Sequence, residues 1–193
     1  MEENETKYYH GSPLSGLKRL APAKPRFFDK PAKVYLTSSR PMALFYGVQH
    51  FEYTYGYKKD GSLYYYEGYP GAFEELYRGK SASLYLCRSG DYERTRVPNE
   101  FTSADPVQVI HEERLEDLYT ELKQLAADGC LKILFYEKQT DQFKASHLEM
   151  EVETIEQQKL LDKSDAFSRF LQEKYPDAWA KAAQNAEELK RYA

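Results

Sequence analysis

Between residues 53 and 66 the chain carries its most restrictive pattern. Tyr53, Tyr55 and Tyr57 alternate with Thr54, Gly56 and Lys58, and Asp60-Gly61 separates this run from Leu63–Tyr66. Period-two alternation is the pattern of a strand with one face buried, and an Asp-Gly pair between two such runs is a strong hairpin signal. A hairpin cannot stand alone in water, so the chain must supply further strands or a packed helix. The wider tyrosine load, 18 in 193 residues, extends the argument. Tyrosine suits half-buried strand surfaces, where the ring packs and the hydroxyl stays wet. One face of such a sheet is expected to line a cleft, although packing alone explains the same rings.

Strand candidates recur through the first two thirds of the chain: Lys7–His10, Val34–Thr37, Ser83–Cys87, Val107–Ile110 and Leu131–Tyr136. Ser38 and Ser39 can cap a helix over about 40–48, with Pro41 in its first turn. Ala72–Tyr77 reads as a short helix. The clearest helical period runs over Glu113–Ala127, where Leu115, Leu118, Tyr119, Leu122 and Leu125 share a face and Gly129 provides the stop. From about Val152 the chain reads as helical, divided by Pro176. Ala21–Pro31, with three prolines, reads as an irregular loop. Strands before helices, without βαβ alternation, predict an α+β fold with a mainly antiparallel sheet.

The composition, 41% hydrophobic and 30% charged, supports one domain with a real core, or one domain with a short appendage. A net charge of −4 provides no electrostatic footprint for tight non-specific nucleic-acid binding. Cys87 and Cys130 each fall in an apolar segment that reads as a strand, so both are expected to be buried free thiols. His10, His50, His111 and His147 show no ligand spacing, and no metal is expected. Met1–Lys7 has no apolar run, and no stretch approaches the roughly 20 apolar residues of a membrane span. The expected location is cytoplasmic.

Three segments carry the candidate chemistry. Tyr9-His10-Gly11-Ser12 ends the first strand. Val34-Tyr35-Leu36-Thr37-Ser38 forms the second, and Tyr46 follows Tyr35 by eleven residues. Asn99-Glu100-Phe101-Thr102 opens a later extended run. In order and spacing, over residues 8 to 110, these segments resemble the ADP-ribosyltransferases of the diphtheria-toxin and poly(ADP-ribose) polymerase type. That family carries His-Gly-Ser, then an aromatic strand with a second tyrosine eleven residues on, then a glutamate opening a strand.

The resemblance implies a split, mainly antiparallel sheet in a domain over 1–150. A helical extension over 151–193 would pack on the same domain. It implies NAD as co-substrate and an unidentified protein or nucleic-acid acceptor, with no membrane partner. The Gly11 main chain would bind the nicotinamide carboxamide, since glycine allows close approach. Tyr35 and Tyr46 would sandwich the ring, and His10 would bond the ribose hydroxyls. Ser12 would belong to the same NAD-binding segment. Glu100 would hold the ribose 2′-hydroxyl, stabilise the oxocarbenium-like sugar and activate the acceptor. Arg19, Lys24 and Arg26, on a basic loop, are candidates for phosphate contact. One departure stands out: where many members carry a serine three residues before the second tyrosine, this chain has Ala43, which removes one hydrogen bond to nicotinamide.

Each residue also has a structural reading. His10-Gly11 suits a strand end and turn, Tyr35 and Tyr46 suit a core, and Glu100 suits a surface. It is favoured over Glu112 and Glu113, which read as residues opening a helix. The Tyr53–Tyr69 hairpin reads either as a stacking platform or as ordinary packing. Two rival functions follow: a non-catalytic nucleotide- or partner-binding domain of the same fold, and a relative of the RNA 2′-phosphotransferases.

Overall fold

Alternation along the strands sorts their side chains onto two faces, and each face carries its own core. The computed structural model describes residues 6–24 and 31–192. The strands are β1 (Tyr8–Ser12), β2 (Arg19–Leu20), β3 (Val34–Thr37), β4 (Tyr55–Tyr57), β5 (Leu63–Tyr66), β6 (Ala82–Cys87), β7 (Glu93–Arg94), β8 (Glu100–Ser103), β9 (Val107–Leu115) and β10 (Lys132–Leu134). The helices are α1 (Arg40–Phe45), α2 (Ala72–Tyr77), α3 (Leu118–Ala127), α4 (Asp141–Gln157), α5 (Ala166–Lys174) and α6 (Pro176–Tyr192). Seven strands form a sheet in the order β2-β9-β6-β1-β3-β8-β7, and β10-β5-β4 form a second one. The protein is α+β with a mainly antiparallel sheet and C-terminal helices, in line with the strand-then-helix order of the sequence. No helix among the described residues is long and apolar enough to cross a membrane.

Two compact units result. One holds the described residues up to Tyr65 together with Phe73–Ile133; the other holds Tyr66–Ala72 and the chain from Leu134 onward. In the first, Met42, Leu44 and Phe45 of α1 join Leu84, Leu118 and Leu122 in a core on one face of the large sheet. On the other face Val34, Leu36, Tyr85, Phe101 and Val107 form a second core. Each fully buried side chain of this size contributes roughly 1.5–3 kcal/mol. In the second unit, Glu67 ties its two segments together: it accepts the Tyr136 N–H at 2.8 Å and its N–H donates to Leu134 O at 3.1 Å. Tyr66 packs edge-on against Phe143 and His147 of α4.

Several expected boundaries move. The helix of Arg40 ends at Phe45, not Val48, because Tyr46 and Gly47 close back on Ala43 O and Leu44 O three residues earlier. That tight turn fits only because Gly47 lacks a Cβ, which would sit 2.8 Å from Ala82 Cβ. Strand β9 continues to Leu115, so Glu112 and Glu113 lie on a strand and do not open a helix. Helix α3 starts where Asp117 caps it, accepting Tyr119 N–H and the Thr120 hydroxyl. Helix α4 begins eleven residues before Val152, capped by Thr140 at Phe143 N–H. Cys130 follows the left-handed Gly129 and is exposed, not a buried strand residue. Cys87 is buried on β6, and burial pushes its thiol up to about 12. The hairpin at Asp60-Gly61 forms as expected, with Gly61 at φ 82° and Tyr55 opposite Tyr65.

Candidate functional site

Backbone parity around β3 decides what the sheet offers at its centre. Ser38 N–H donates to Asn99 O at 3.0 Å, extending the β3–β8 ladder in which Leu36 opposes Phe101. Hydrogen-bonded pairs alternate along an antiparallel ladder, so Tyr35 and Thr37 turn their own N–H and C=O away from β8, toward β1. Tyr9 pairs with Thr37 across that edge, and the β1–β3 ladder is confined to this pair. Two residues along β1, Gly11 directs its N–H and C=O into the same gap, opposite Tyr35. There the ladder has given way to a side chain: His10 Nδ1 lies 2.9 Å from Tyr35 O.

A carbonyl only accepts, so His10 carries its proton on Nδ1 and leaves Nε2 as an acceptor. Burial pushes the His10 imidazole below its ordinary value, opposed by the bond to Tyr35. Burial is the larger effect, so the ring is neutral near pH 7. Alternation starts His10 on the face of Tyr8 and Tyr85, so it reaches the gap from behind. Tyr35, Thr37 and Glu100 stand on the other face, the one that α1 covers.

Gly11 has a packing role as well. A Cβ there would fall 1.8 Å from Ala43 O and 2.8 Å from its carbonyl carbon. Helix α1 thus sits directly on β1, and Ala43 is buried at the contact. Ser12 is buried and accepts the Leu14 N–H at 3.1 Å, which shapes the turn that follows.

Glu100 opens β8 opposite Thr37. Asn99 before it adopts φ 61°, a left-handed conformation that Asn tolerates better than most residues. The Thr95 hydroxyl donates to Glu100 Oε1 at 2.7 Å, and Thr95 N–H donates to Glu100 O. Tyr46 ends α1, with its hydroxyl 2.7 Å from that of Tyr55. Burial, the mutual contact and the Glu100 charge raise the Tyr46 phenol far above its ordinary value. Tyr55 is pushed up to about 12, chiefly by burial, with the Glu100 charge adding to it. The Glu100 charge is thus within electrostatic reach of the phenol pair. Tyr46 stacks on Tyr53 (centroids 5.0 Å apart, 19° between planes), and it is not in ring contact with Tyr35.

The rival carboxylates are engaged elsewhere. Glu112 accepts from the Ser83 hydroxyl and the Gly16 N–H, which hold it below the usual carboxylate range. Glu113 and Glu121 both pair with Arg40, at 2.8 and 2.6 Å. Glu93 is exposed and pairs with Lys33. Of the basic candidates, exposed Arg19 lies on β2 at the far edge of the sheet, three strands from β1. Lys24 is exposed, and Arg26 lies outside the described residues. Tyr65 and Tyr69 of the Tyr-rich segment are buried, so part of its tyrosine load goes into packing.

Neither a family model nor a curated protein matches the sequence. Among the described residues, no three His, Cys, Asp or Glu side chains gather as metal ligands. Sequence reasoning missed Thr95, and it took Tyr53 and Tyr55 only as part of a hairpin read as a stacking platform or as packing, not as neighbours of Tyr46. For the two tyrosines a signal existed, since their period of two puts them on one side of an extended segment next to Tyr46.

His50, under this aromatic group, yields a pH prediction. Its Nδ1 accepts Glu52 N–H at 3.1 Å and its Nε2 donates to Phe45 O at 3.2 Å, so it is neutral. Burial lowers it from 6.5 to about 4. A group with a depressed cationic pKa contributes fully above its unfolded value and loses that contribution as pH falls below it. Between pH 6.5 and 4, stability is expected to fall by about 1.4 kcal/mol per pH unit on account of His50. Urea unfolding at pH 7.5, 6 and 5 should show this slope flattened in His50→Gln.

Proposed function

We propose that this protein cleaves NAD at the nicotinamide–ribose bond and transfers ADP-ribose to an acceptor, as an ADP-ribosyltransferase. The observation that carries the reading is the gap between β1 and β3. One glycine directs both a donor and an acceptor into it, the complement of a primary carboxamide, which carries a carbonyl and an NH₂. Tyr35 stands beside the gap with His10 bonded to its carbonyl, and the Glu100 charge acts on the Tyr46–Tyr55 pair.

In this reading the nicotinamide carboxamide bonds Gly11 N–H and C=O, and its ring lies against Tyr35 and Tyr46. His10 Nε2 accepts from a ribose hydroxyl. Glu100 accepts from the 2′-hydroxyl, with its charge close to the reacting carbon. As the C1′–N bond breaks, its electron pair goes to the pyridinium nitrogen and neutral nicotinamide leaves. Positive charge develops on the ribose, where a fixed carboxylate in a low-dielectric site stabilises it. The acceptor attacks C1′ and gives up its proton to Glu100 or to solvent.

Incubation with NAD labelled in its nicotinamide ring tests this directly. Release of labelled nicotinamide is expected, together with a rise in melting temperature on adding NAD. No release over hours at micromolar enzyme, with water and protein acceptors both present, would end the catalytic reading. Ala43 favours a second one, since a buried alanine provides no hydroxyl for the carboxamide. Stabilisation by NAD without nicotinamide release would point to that second reading, a binding domain.

A further inference from the structure

We infer that Tyr53 and Tyr55 are positioning residues that turn Tyr46 into a stacking surface with one usable face, aimed at a flat cationic ring. The inference rests on the NAD reading for the identity of that ring, a pyridinium. The geometry comes from the aromatic group itself. Tyr53 covers one face of Tyr46 at 5.0 Å and 19°. Behind it, His50 stacks on Tyr53 at 4.2 Å and 27°, and Tyr77 meets His50 edge-on at 5.6 Å. The column of rings Tyr46–Tyr53–His50 is thus anchored on the fully buried Tyr77.

The plane of the Tyr46 ring is set by the Tyr53 stack, and its far end is fixed by its own hydroxyl. The 2.7 Å bond to Tyr55 holds that end of the ring, and Tyr55 meets it edge-on at 6.2 Å and 78°. Tyr55 is itself held by β4–β5 pairing and by stacking on the buried Phe45. With one face covered and the hydroxyl tied, the opposite face of Tyr46 remains, and the residue keeps 36% of its surface exposed. A flat ring docking there gains from a surface already oriented, since little rotamer freedom is left to lose. A positive ring gains further, because an aromatic face attracts cations; the Glu100 charge, which acts on the Tyr46 phenol, adds to this.

The experiment compares Tyr55→Phe, Tyr53→Leu and Tyr53→Phe with the wild type. Tyr55→Phe keeps the ring and loses one hydrogen bond, so KM for NAD is expected to rise about 2–13-fold with kcat nearly unchanged. Tyr53→Leu should raise KM by a similar factor, and Tyr53→Phe should restore it. Free nicotinamide and 1-methylnicotinamide, methylated on the ring nitrogen, titrated against each protein by saturation-transfer NMR, provide a readout without turnover. The cationic methyl form is expected to bind more tightly to the wild type, and the preference should shrink in Tyr55→Phe. An active wild type with unchanged KM in Tyr55→Phe, or a Tyr53→Phe no better than Tyr53→Leu, overturns the inference and leaves the NAD reading standing. Tyr55-dependent binding of the cation without nicotinamide release supports the inference and removes the catalytic reading. A wild type that neither releases nicotinamide nor binds either probe overturns both.

Discussion

Gly11→Ala is expected to destabilise the first unit by about 3 kcal/mol or more, at the upper end of what an added methyl group does in a packed interior. The new Cβ would lie 1.8 Å from Ala43 O and 3.3 Å from Gly47 N. Those atoms belong to backbone, so no rotamer change relieves the clash; α1 or β1 must move. Moving α1 disturbs Met42, Leu44 and Phe45, which are all essentially inaccessible to solvent. In a chain of this length, 3 kcal/mol corresponds to a fall of about 6–12 °C in Tm. Thermal and urea unfolding check it, with Gly16→Ala for comparison. Gly16 has φ 78° and open space around it, so its cost is about 1 kcal/mol from conformation alone. Equal stabilities for the two variants would mean that α1 does not rest on Gly11.

Glu100→Gln is expected to lower nicotinamide release about 100- to 1,000-fold, the range seen when one group that stabilises transition-state charge is removed. The substitution preserves shape. Gln Oε1 can still accept from Thr95, whose hydroxyl now donates to the carboxylate at 2.7 Å, so Tm should hold within a few degrees. NAD binding, followed by thermal shift, should weaken much less than turnover, because the charge matters most as the ribose becomes cationic. Exposed Glu93, two strands from β3, provides the control: Glu93→Gln is expected to leave release unchanged. Retention of more than a tenth of wild-type release by Glu100→Gln would remove Glu100 from the chemistry.

Local signals read well where one short-range rule dominated. The Asp60-Gly61 turn, the Ser39 cap with Pro41, and the break at Pro176 all depend on neighbours in sequence, and all appear in place. The errors each have their own physical cause. Leu115 fits the helical period of Leu118 and Leu122, yet it is the last residue of β9, paired with Ala82. A cross-strand partner 33 residues away overrode local periodicity there. The first turns of α4 escaped notice because Ala145, Ser146, Glu149 and Met150 are exposed, and among its residues before Val152 only His147 is buried. Cys130 looked buried because Leu131 after it is, but the turn at Gly129 leaves the thiol outside.

The same division runs through the candidate site. His10, Gly11, Tyr35, Tyr46 and Glu100 could be picked out from residue type, order and spacing, because those properties are written along the chain. Whether Gly11 opens its main chain into a gap depends on the ladder parity of three strands. That parity follows from pairings between residues as far apart as Ser38 and Asn99. The elimination of Glu112 and Glu113 likewise needed Ser83 and Arg40, brought next to them by β6 and α1. The contacts of Tyr53 and Tyr55 with Tyr46, and of Thr95 with Glu100, are visible only in the folded chain. A linear sequence specifies which groups are available and what local geometry each prefers. Which of them meet is decided by burial and strand pairing across the whole sheet, because those energies are collected only when distant segments pack together.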